Sequence, residues 1–201
     1  SHNHQGRGRH PPAAGVLLEE SLTVLYRVLF LLFAEARSLV PVWDPIYRDR
    51  YTIEAIVTAL LSGRQYRGIW PALQAISRLA HAGCRAGSLK VTPFNGRLFS
   101  PAHVPSIEQA RLDDETMGRA VMAVSTVARK GSGRQRILYH DLDVEQLGSV
   151  YERVLDYEVA NGAALEKRGD RRKATGSFYT PRAVTDWVVG RTLAPLVEGK
   201  T

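Results

Sequence analysis

The sequence predicts a mainly α-helical fold, on three observations. Apolar residues recur at intervals of three and four through most of the chain, proline and glycine separate these runs, and no internal repeat is visible. Hydrophobic residues make up 44% of the 201 positions and charged residues 23%, which is typical of a globular protein. We therefore predict a helical bundle with a short hairpin or loop near residues 92–100 and a strand–turn–helix at the C-terminal end.

The strongest helical pattern covers residues 17–39, after a tail (residues 1–15) that is predicted to be disordered. Its leucine stripe has spacings of four and three: Leu18, Leu22, Leu25, Leu29 and Leu32. Phe30, Leu31 and Phe33 occupy the other side, so we expect a helix that is buried nearly all round. The uninterrupted apolar part, residues 28–34, is much shorter than the roughly 20 residues of a membrane span. Charged residues interrupt the remainder: Glu19, Glu20, Arg27, Glu35 and Arg37.

Further helices are predicted over residues 53–61, over about 66–82, and from a cap at Asp113 or Asp114 to about residue 128. Asp143 and Gln146 have the spacing of a capping box at the start of another helix. The apolar face of that helix comprises Val144, Leu147, Tyr151, Val154 and Leu155. Residues 41–49 are predicted to form a loop, and Asn95-Gly96 a tight turn. The helical domain is expected to span residues 16–160.

The charge balance favours a polyanionic partner, because the net charge is +7 and the pI is about 9.8. A solvated basic surface is the alternative. The single cysteine, Cys84, excludes an internal disulfide, fits a reducing cytoplasm and is expected to be buried and unreactive. The basic glycine loop at residues 129–136 lacks the Gly-Lys-Ser/Thr ending of a phosphate-binding loop.

Two groups of residues have side chains that can ligate a metal. His2, His4 and His10 lie in the tail, which gives them no fixed geometry. His140, Asp141 and Asp143 are spaced too tightly for one helix face, and capping accounts for Asp143. We therefore predict no metal site.

The stretch "RRKATGSFYTPRAVTDWVV", residues 171–189, concentrates several special residue types at one junction. Gly176 permits close backbone approach, and Phe178 and Tyr179 form an aromatic wall. Thr180 suits the N-cap of a helix and Pro181 its first position. The N-terminus of such a helix suits a carboxylate or phosphate, although an ordinary strand–turn–helix connection has the same pattern.

Within this stretch, "TGSFYTPRAVTDWVV" resembles the motif that opens the methyltransferase domain of adenine-specific (N6) DNA methyltransferases. Three other segments resemble the helical region that precedes this motif in fused restriction–modification and phage-defence members. They are "VLYRVLFLLFAEARSLVP", "FNGRLFS" and "YHDLDVEQLGSVYERVLDYE". The four segments follow the family's order and cover about residues 20–197.

The resemblance implies a set of functional residues. Those that would line the S-adenosylmethionine pocket are Gly176, Phe178, Tyr179, Thr180 and Pro181. A basic cluster before the motif would contact DNA phosphates: Lys167, Arg168, Arg171, Arg172 and Lys173. The alternative for this cluster is a solvated linker.

The sequence also departs from the family's pattern. It contains neither the acidic-Pro-x-x-Gly-x-Gly cofactor loop nor the Asn-Pro-Pro-Tyr/Phe motif that holds a flipped adenine. Residues 161–201 are therefore expected to be a basic linker and the start of a truncated methyltransferase domain. The isolated chain should be inactive and should need the missing catalytic part. The rival hypothesis is a non-enzymatic helical DNA-binding or adaptor protein.

Overall fold

The computed structural model confirms a mainly α-helical fold. It describes residues 12–64, 66–94, 96–129, 131, 133–154, 157–159, 165–167, 180 and 182–197. Helix α1 spans Ala14–Ala36, so it begins inside the tail predicted for residues 1–15 and ends before residue 39. The chain leaves α1 through Ser38, which has a left-handed φ of 54°.

Helix α2 spans Pro45–Arg50, where the sequence had been expected to form a loop. The side chain of Asp44 accepts hydrogen bonds from the backbone N–H groups of Ile46 and Tyr47, and Pro45 occupies the first helical position. The short helix buries Tyr47 completely. Helix α3 spans Ile53–Leu61, as predicted, and is capped by Thr52.

The two aspartates considered as caps lie at the start of α7 (Asp114–Ser125), and one of them joins it to α4 (Ile69–Ala82). Asp113 caps α7 by accepting from the N–H of Thr116 at 2.8 Å. Asp114 accepts instead from the backbone N–H groups of Gly68 and Ile69 at the start of α4. Helix α4 begins three residues later than predicted because Gly68 has a left-handed φ of 78°.

The region near residues 92–100 differs in detail from the prediction. The hairpin lies earlier: strand β1 (Cys84–Ala86) pairs antiparallel with β2 (Leu89–Val91), which buries Leu89 and Val91. Gly96–Phe99 forms the short helix α5, so this segment is a helical turn. Its Phe99 is fully buried against the rings of Phe30 and Phe94. A 3-10 turn at Pro101–His103 and helix α6 at Pro105–Glu108 follow.

A second hairpin follows α7 directly. Strand β3 (Thr126–Ala128) pairs antiparallel with β4 (Arg134–Arg136), so α7 ends before the predicted residue 128 and the basic loop contains a strand. A 3-10 turn covers Tyr139–Asp141. Helix α8 (Val144–Val154) begins with the predicted capping box, since the Asp143 N–H donates to Gln146 Oε1 and the Gln146 N–H donates to Asp143 Oδ1.

The remaining described elements are one hairpin and one helix. Strand β5 (Tyr157–Val159) pairs antiparallel with β6 (Leu165–Lys167), and helix α9 spans Arg182–Val197. Helix α9 confirms the helical part of the predicted strand–turn–helix, while its strand falls outside the described residues. None of the helices described is long and apolar enough to cross a membrane.

The core is centred on α1, which contacts α3, α6, α7 and α8. Three charged side chains of α1 are nevertheless buried: Glu20, Arg27 and Glu35. Each of them binds the backbone at an end of another element. Glu20 accepts from Ser106 and Ile107 N–H at the start of α6, and Arg27 donates to the carbonyl oxygens of Leu98 and Ser100 at the end of α5.

Glu35 completes this series at the start of α3. Its two carboxyl oxygens accept from the N–H groups of Ile53 at 2.8 Å and Glu54 at 3.0 Å. The first N–H groups of a helix have no partner within it, so a buried acceptor there stabilises the fold. The charges that interrupt the apolar run of α1 are therefore the contacts that fix neighbouring elements around it. Cys84, expected to be buried, is half-buried with a free thiol.

Candidate functional site

The predicted cofactor junction is described only in part. Thr180 is exposed, and α9 begins at Arg182, two residues after it. A Thr N-cap with Pro181 at the first helical position stays a prediction, because Pro181 is not among the described residues. Gly176, Phe178, Tyr179 and Pro181 lie outside the described residues.

Helix α9 presents an unusual surface. Every side chain of α9 that the structure describes is exposed, including six large apolar ones: Val184, Trp187, Val188, Val189, Leu193 and Leu196. They are distributed around most of the helix. Arg182 Nε lies 3.6 Å from Asp186 Oδ2, and the guanidinium carbon of Arg191 lies 5.4 Å from the centroid of the Trp187 ring. A helix that is apolar on most sides is normally buried in a larger structure.

The predicted DNA-binding cluster is also described only at its start. Lys167 is the last residue of β6 and pairs with Tyr157 of β5. Arg168, Arg171, Arg172 and Lys173 lie outside the described residues. Phosphate contact by this cluster therefore stays a prediction.

A cavity of about 420 Å³ lies beside Glu35, between α1, the start of α3 and residues 136–140. Its walls are largely apolar: Leu32, Ala36, Val42, Ile137 and Leu138. This volume lies within the range of small-molecule pockets, which combine apolar walls with a few polar groups. We call it the Glu35 cavity.

The ionisable groups around the Glu35 cavity are strongly influenced by burial. Burial raises the pKa of Glu35 to about 8, and the hydrogen bond from Ile53 acts in the opposite direction. Burial also raises the pKa of Tyr139 to about 12. The pKa of Tyr47 is raised by burial and by the nearby Glu35. A perturbed carboxyl beside a cavity is a feature of functional sites and also of structural caps.

Most polar groups of the Glu35 cavity already have protein partners. Arg136 forms an ion pair with Glu54 and donates to Thr58 Oγ1 at 2.8 Å. The Nδ1 atom of His140 lies 2.7 Å from Asp141 Oδ1. The cavity can therefore admit a small, mostly apolar molecule, but the carboxyl of Glu35 is already used in capping α3.

Sequence reasoning missed the Glu35 cavity for a specific reason. Glu35 was treated as an interruption of an apolar run, and residues 41–49 as a loop. An ionisable residue in a helix that is otherwise buried needs a buried partner, so the position of Glu35 in the apolar run of α1 is the sequence signal for this site. The partner itself, the start of α3, is set by tertiary packing.

The structure also bears on the residues considered as metal ligands. Among the described residues, no group of three or more His, Cys, Asp or Glu side chains could hold a metal ion. His140 and Asp141 contact each other, and Asp143 caps α8. His2, His4 and His10 lie outside the described residues.

Comparison of the chain with protein-family models, with curated proteins and with solved structures returned no match.

Proposed function

We propose that this chain is the helical segment, with the first cofactor motif, of an adenine-specific (N6) DNA methyltransferase of the restriction–modification or phage-defence type. The single observation that carries the proposal is the order of four segments that resemble this family, ending in "TGSFYTP" at residues 175–181. Two features are consistent with it. Helix α9 begins where the motif requires a helix, and its apolar side chains are exposed.

In this proposal the chain supplies one wall of the cofactor site. Phe178 and Tyr179 flank S-adenosylmethionine, and Gly176 lets the backbone approach it. Thr180 and Pro181 start α9, whose N-terminal N–H groups suit the carboxylate of the cofactor. When bound, S-adenosylmethionine supplies the methyl group that is transferred to adenine N6. The exposed position of Thr180 is compatible with contact to a ligand.

The partners in this proposal are DNA and a catalytic part that carries the glycine loop and the Asn-Pro-Pro motif. Neither motif is present in the 201 residues. Half a cofactor site leaves polar groups of the cofactor unpaired, so the chain alone should bind S-adenosylmethionine weakly or not at all. The reaction would take place in the cytoplasm, which is consistent with the single free cysteine.

The test is methyl transfer by the chain together with this catalytic part. We expect tritium from labelled S-adenosylmethionine to reach adenine in duplex DNA only when both parts are present. Thr180→Val should weaken cofactor binding to the assembled enzyme, whereas Thr192→Val, a matched substitution within α9, should not. Micromolar cofactor binding or methylation by the chain alone would contradict the proposal.

The second candidate is a non-enzymatic DNA-binding or adaptor protein. The observation that favours it is the net charge of +7, which needs no cofactor to attract nucleic acid. Methyl transfer by the assembled enzyme separates the two candidates. DNA binding without any methyl transfer in the presence of the catalytic part would favour the adaptor.

A further inference from the structure

The two hairpins of the helical domain have similar strands but different environments. In the β1–β2 hairpin, Leu89 and Val91 are buried and pack against a cluster that includes Tyr47. In the β3–β4 hairpin, Thr126 is buried and Arg136 half-buried, while the other strand residues are exposed. The first hairpin therefore contributes to the core, and the second projects from the end of α7.

The β3–β4 hairpin is also the more cationic of the two. Residues 129–136 contain four Lys and Arg in eight positions, whereas residues 84–91 contain two. Both hairpins lie in stretches without Asp or Glu, residues 116–140 and 55–107, so acidic neighbours in the sequence do not distinguish them. The density of cations in the sequence distinguishes the two hairpins, since Arg85 and Lys90 of the first hairpin are exposed as well.

The arginines at the base of the β3–β4 hairpin anchor it to the bundle. Arg136 forms an ion pair with Glu54 of α3. Arg134 donates from Nε to Thr126 Oγ1 at 2.6 Å and from NH2 to the carbonyl oxygens of Met122 and Thr126. All three of these acceptors of Arg134 are neutral, so none of them compensates the charge of its exposed guanidinium.

Gly131 and Gly133, in the loop between β3 and β4, are exposed; we call this loop the tip of the hairpin. Gly131 and Gly133 have φ values of 108° and 96°, and no atom lies within 4 Å of a Cβ built on either residue. Glycine is therefore favoured at both positions by backbone conformation. Arg129 is exposed beside the tip, and its backbone N–H donates to the carbonyl oxygen of Gly133.

We propose that the β3–β4 hairpin binds the sugar–phosphate backbone of duplex DNA through Arg129 and Arg134. The inference rests on the proposed function for its choice of polyanion and adds a contact surface outside the cluster at residues 167–173. An exposed, anchored hairpin that carries cations complements a row of phosphates. The β1–β2 hairpin lacks this role because one face of it is committed to the core.

The experiment measures binding of the full chain to a fluorescent duplex of arbitrary sequence over a series of salt concentrations. Arg129→Gln should lower affinity by roughly eightfold at 0.1 M salt and reduce the slope of log K against log salt by about 0.9. Arg129→Lys should retain most of the affinity and slope. Arg85→Gln, the matched loss of charge on the β1–β2 hairpin, should change affinity by less than about twofold.

A gain of charge tests the same surface without removing any native contact. Gln135 is exposed on β4, and Ser88 is exposed in the turn of the β1–β2 hairpin. Gln135→Lys should strengthen duplex binding, and Ser88→Lys should have a smaller effect. Equal effects at the two hairpins, or an unchanged slope for Arg129→Gln, would overturn the inference and leave the proposed methyltransferase function intact.

Absence of any duplex binding by the wild-type chain would also overturn the inference. The methyl-transfer test of the assembled enzyme would then decide the proposed function separately. Thermal melting of each variant verifies that lost affinity does not reflect unfolding.

Discussion

Of the helices that the structure describes, the two longest, α1 and α9, differ in which side chains they bury. Helix α1 buries the ionisable side chains of Glu20, Arg27 and Glu35, whereas α9 exposes large apolar side chains such as Trp187 and Leu193. Neither arrangement follows from hydrophobicity alone. The difference lies in the partners that each helix has in the described part of the chain.

The buried ionisable side chains of α1 all have backbone partners, which removes most of the cost of taking them out of water. The partners lie at the ends of α3, α5 and α6, where helices have unpaired N–H or carbonyl groups. The three buried ionisable side chains of α1 are therefore satisfied by hydrogen bonds within the described part of the chain. In the described part of the chain, no element covers the large apolar side chains of α9. Such an exposed apolar surface is typical of a helix that packs against a partner.

The largest effect is expected from a charge placed in the apolar part of α1. Leu29 is 6% exposed, so Leu29→Asp buries a carboxylate without a partner and should cost more than about 4 kcal/mol, enough to unfold many domains. Leu193→Asp on α9 is the matched control and should change the free energy of unfolding by less than about 0.5 kcal/mol. Urea titration followed by circular dichroism measures both. A Leu29→Asp chain that melts normally would refute the assignment of the core.

A smaller loss is expected when a buried charge of α1 is replaced by an apolar side chain. Arg27→Met keeps much of the volume but leaves the carbonyl oxygens of Leu98 and Ser100 without their donor. We expect destabilisation by about 2–4 kcal/mol, as each buried polar group that loses its partner costs about 1–3 kcal/mol. Arg191→Met on α9 should be close to neutral. Equal stability of the two variants would show that Arg27 does not hold α5 in place.

Glu35 should make stability depend on pH. Its pKa rises from 4.5 to about 8 on folding, so the folded state binds the proton more tightly than the unfolded state. The stabilisation is therefore complete below pH 4.5 and is lost as the pH rises to about 8, with a slope of at most about 1.4 kcal/mol per pH unit.

Glu35→Gln tests this dependence directly. The variant should lose some stability, because an amide offers one acceptor oxygen to the two N–H groups of Ile53 and Glu54. Its stability should also vary less between pH 5 and pH 8 than that of the wild type. Urea titrations at several pH values measure this slope. Parallel pH profiles for the two proteins would assign the dependence to another group.

The contrast between the helices also shows what the sequence could predict. The stripe from Leu18 to Leu32 and the box at Asp143 and Gln146 are local patterns, and both gave helices in the expected places. Short elements set by tertiary contacts were missed or mislocated. Helix α2, where a loop was expected, has a local Asp44 cap and also buries Tyr47, and Gly96–Phe99 is helical where a hairpin or loop was expected, with Phe99 packed against Phe30.

The candidate sites were less accessible to sequence reasoning than the fold. Glu35 and the start of α3 are separated by 18 positions, and their contact depends on how α1 and α3 pack. Arg134 and Arg136 were recognised as basic, but their anchoring to α7 and α3 could not be inferred from spacing. The resemblance at residues 175–181 concerns positions that lie mostly outside the described residues, so it remains the basis of a proposal.

The smallest effect on stability, and the most informative about α9, is expected for Trp187→Ala. Trp187 is 63% exposed, so its removal should change the free energy of unfolding of the chain by less than about 0.5 kcal/mol. In the proposed enzyme, α9 packs against the catalytic part, where a large aromatic side chain can contribute at least about 2 kcal/mol to binding. Calorimetric titration with the catalytic part should therefore show about a 30-fold loss of affinity for Trp187→Ala and little change for Thr192→Ala. Destabilisation of the isolated chain would instead mean that α9 packs within it, and unchanged affinity would remove Trp187 from the interface.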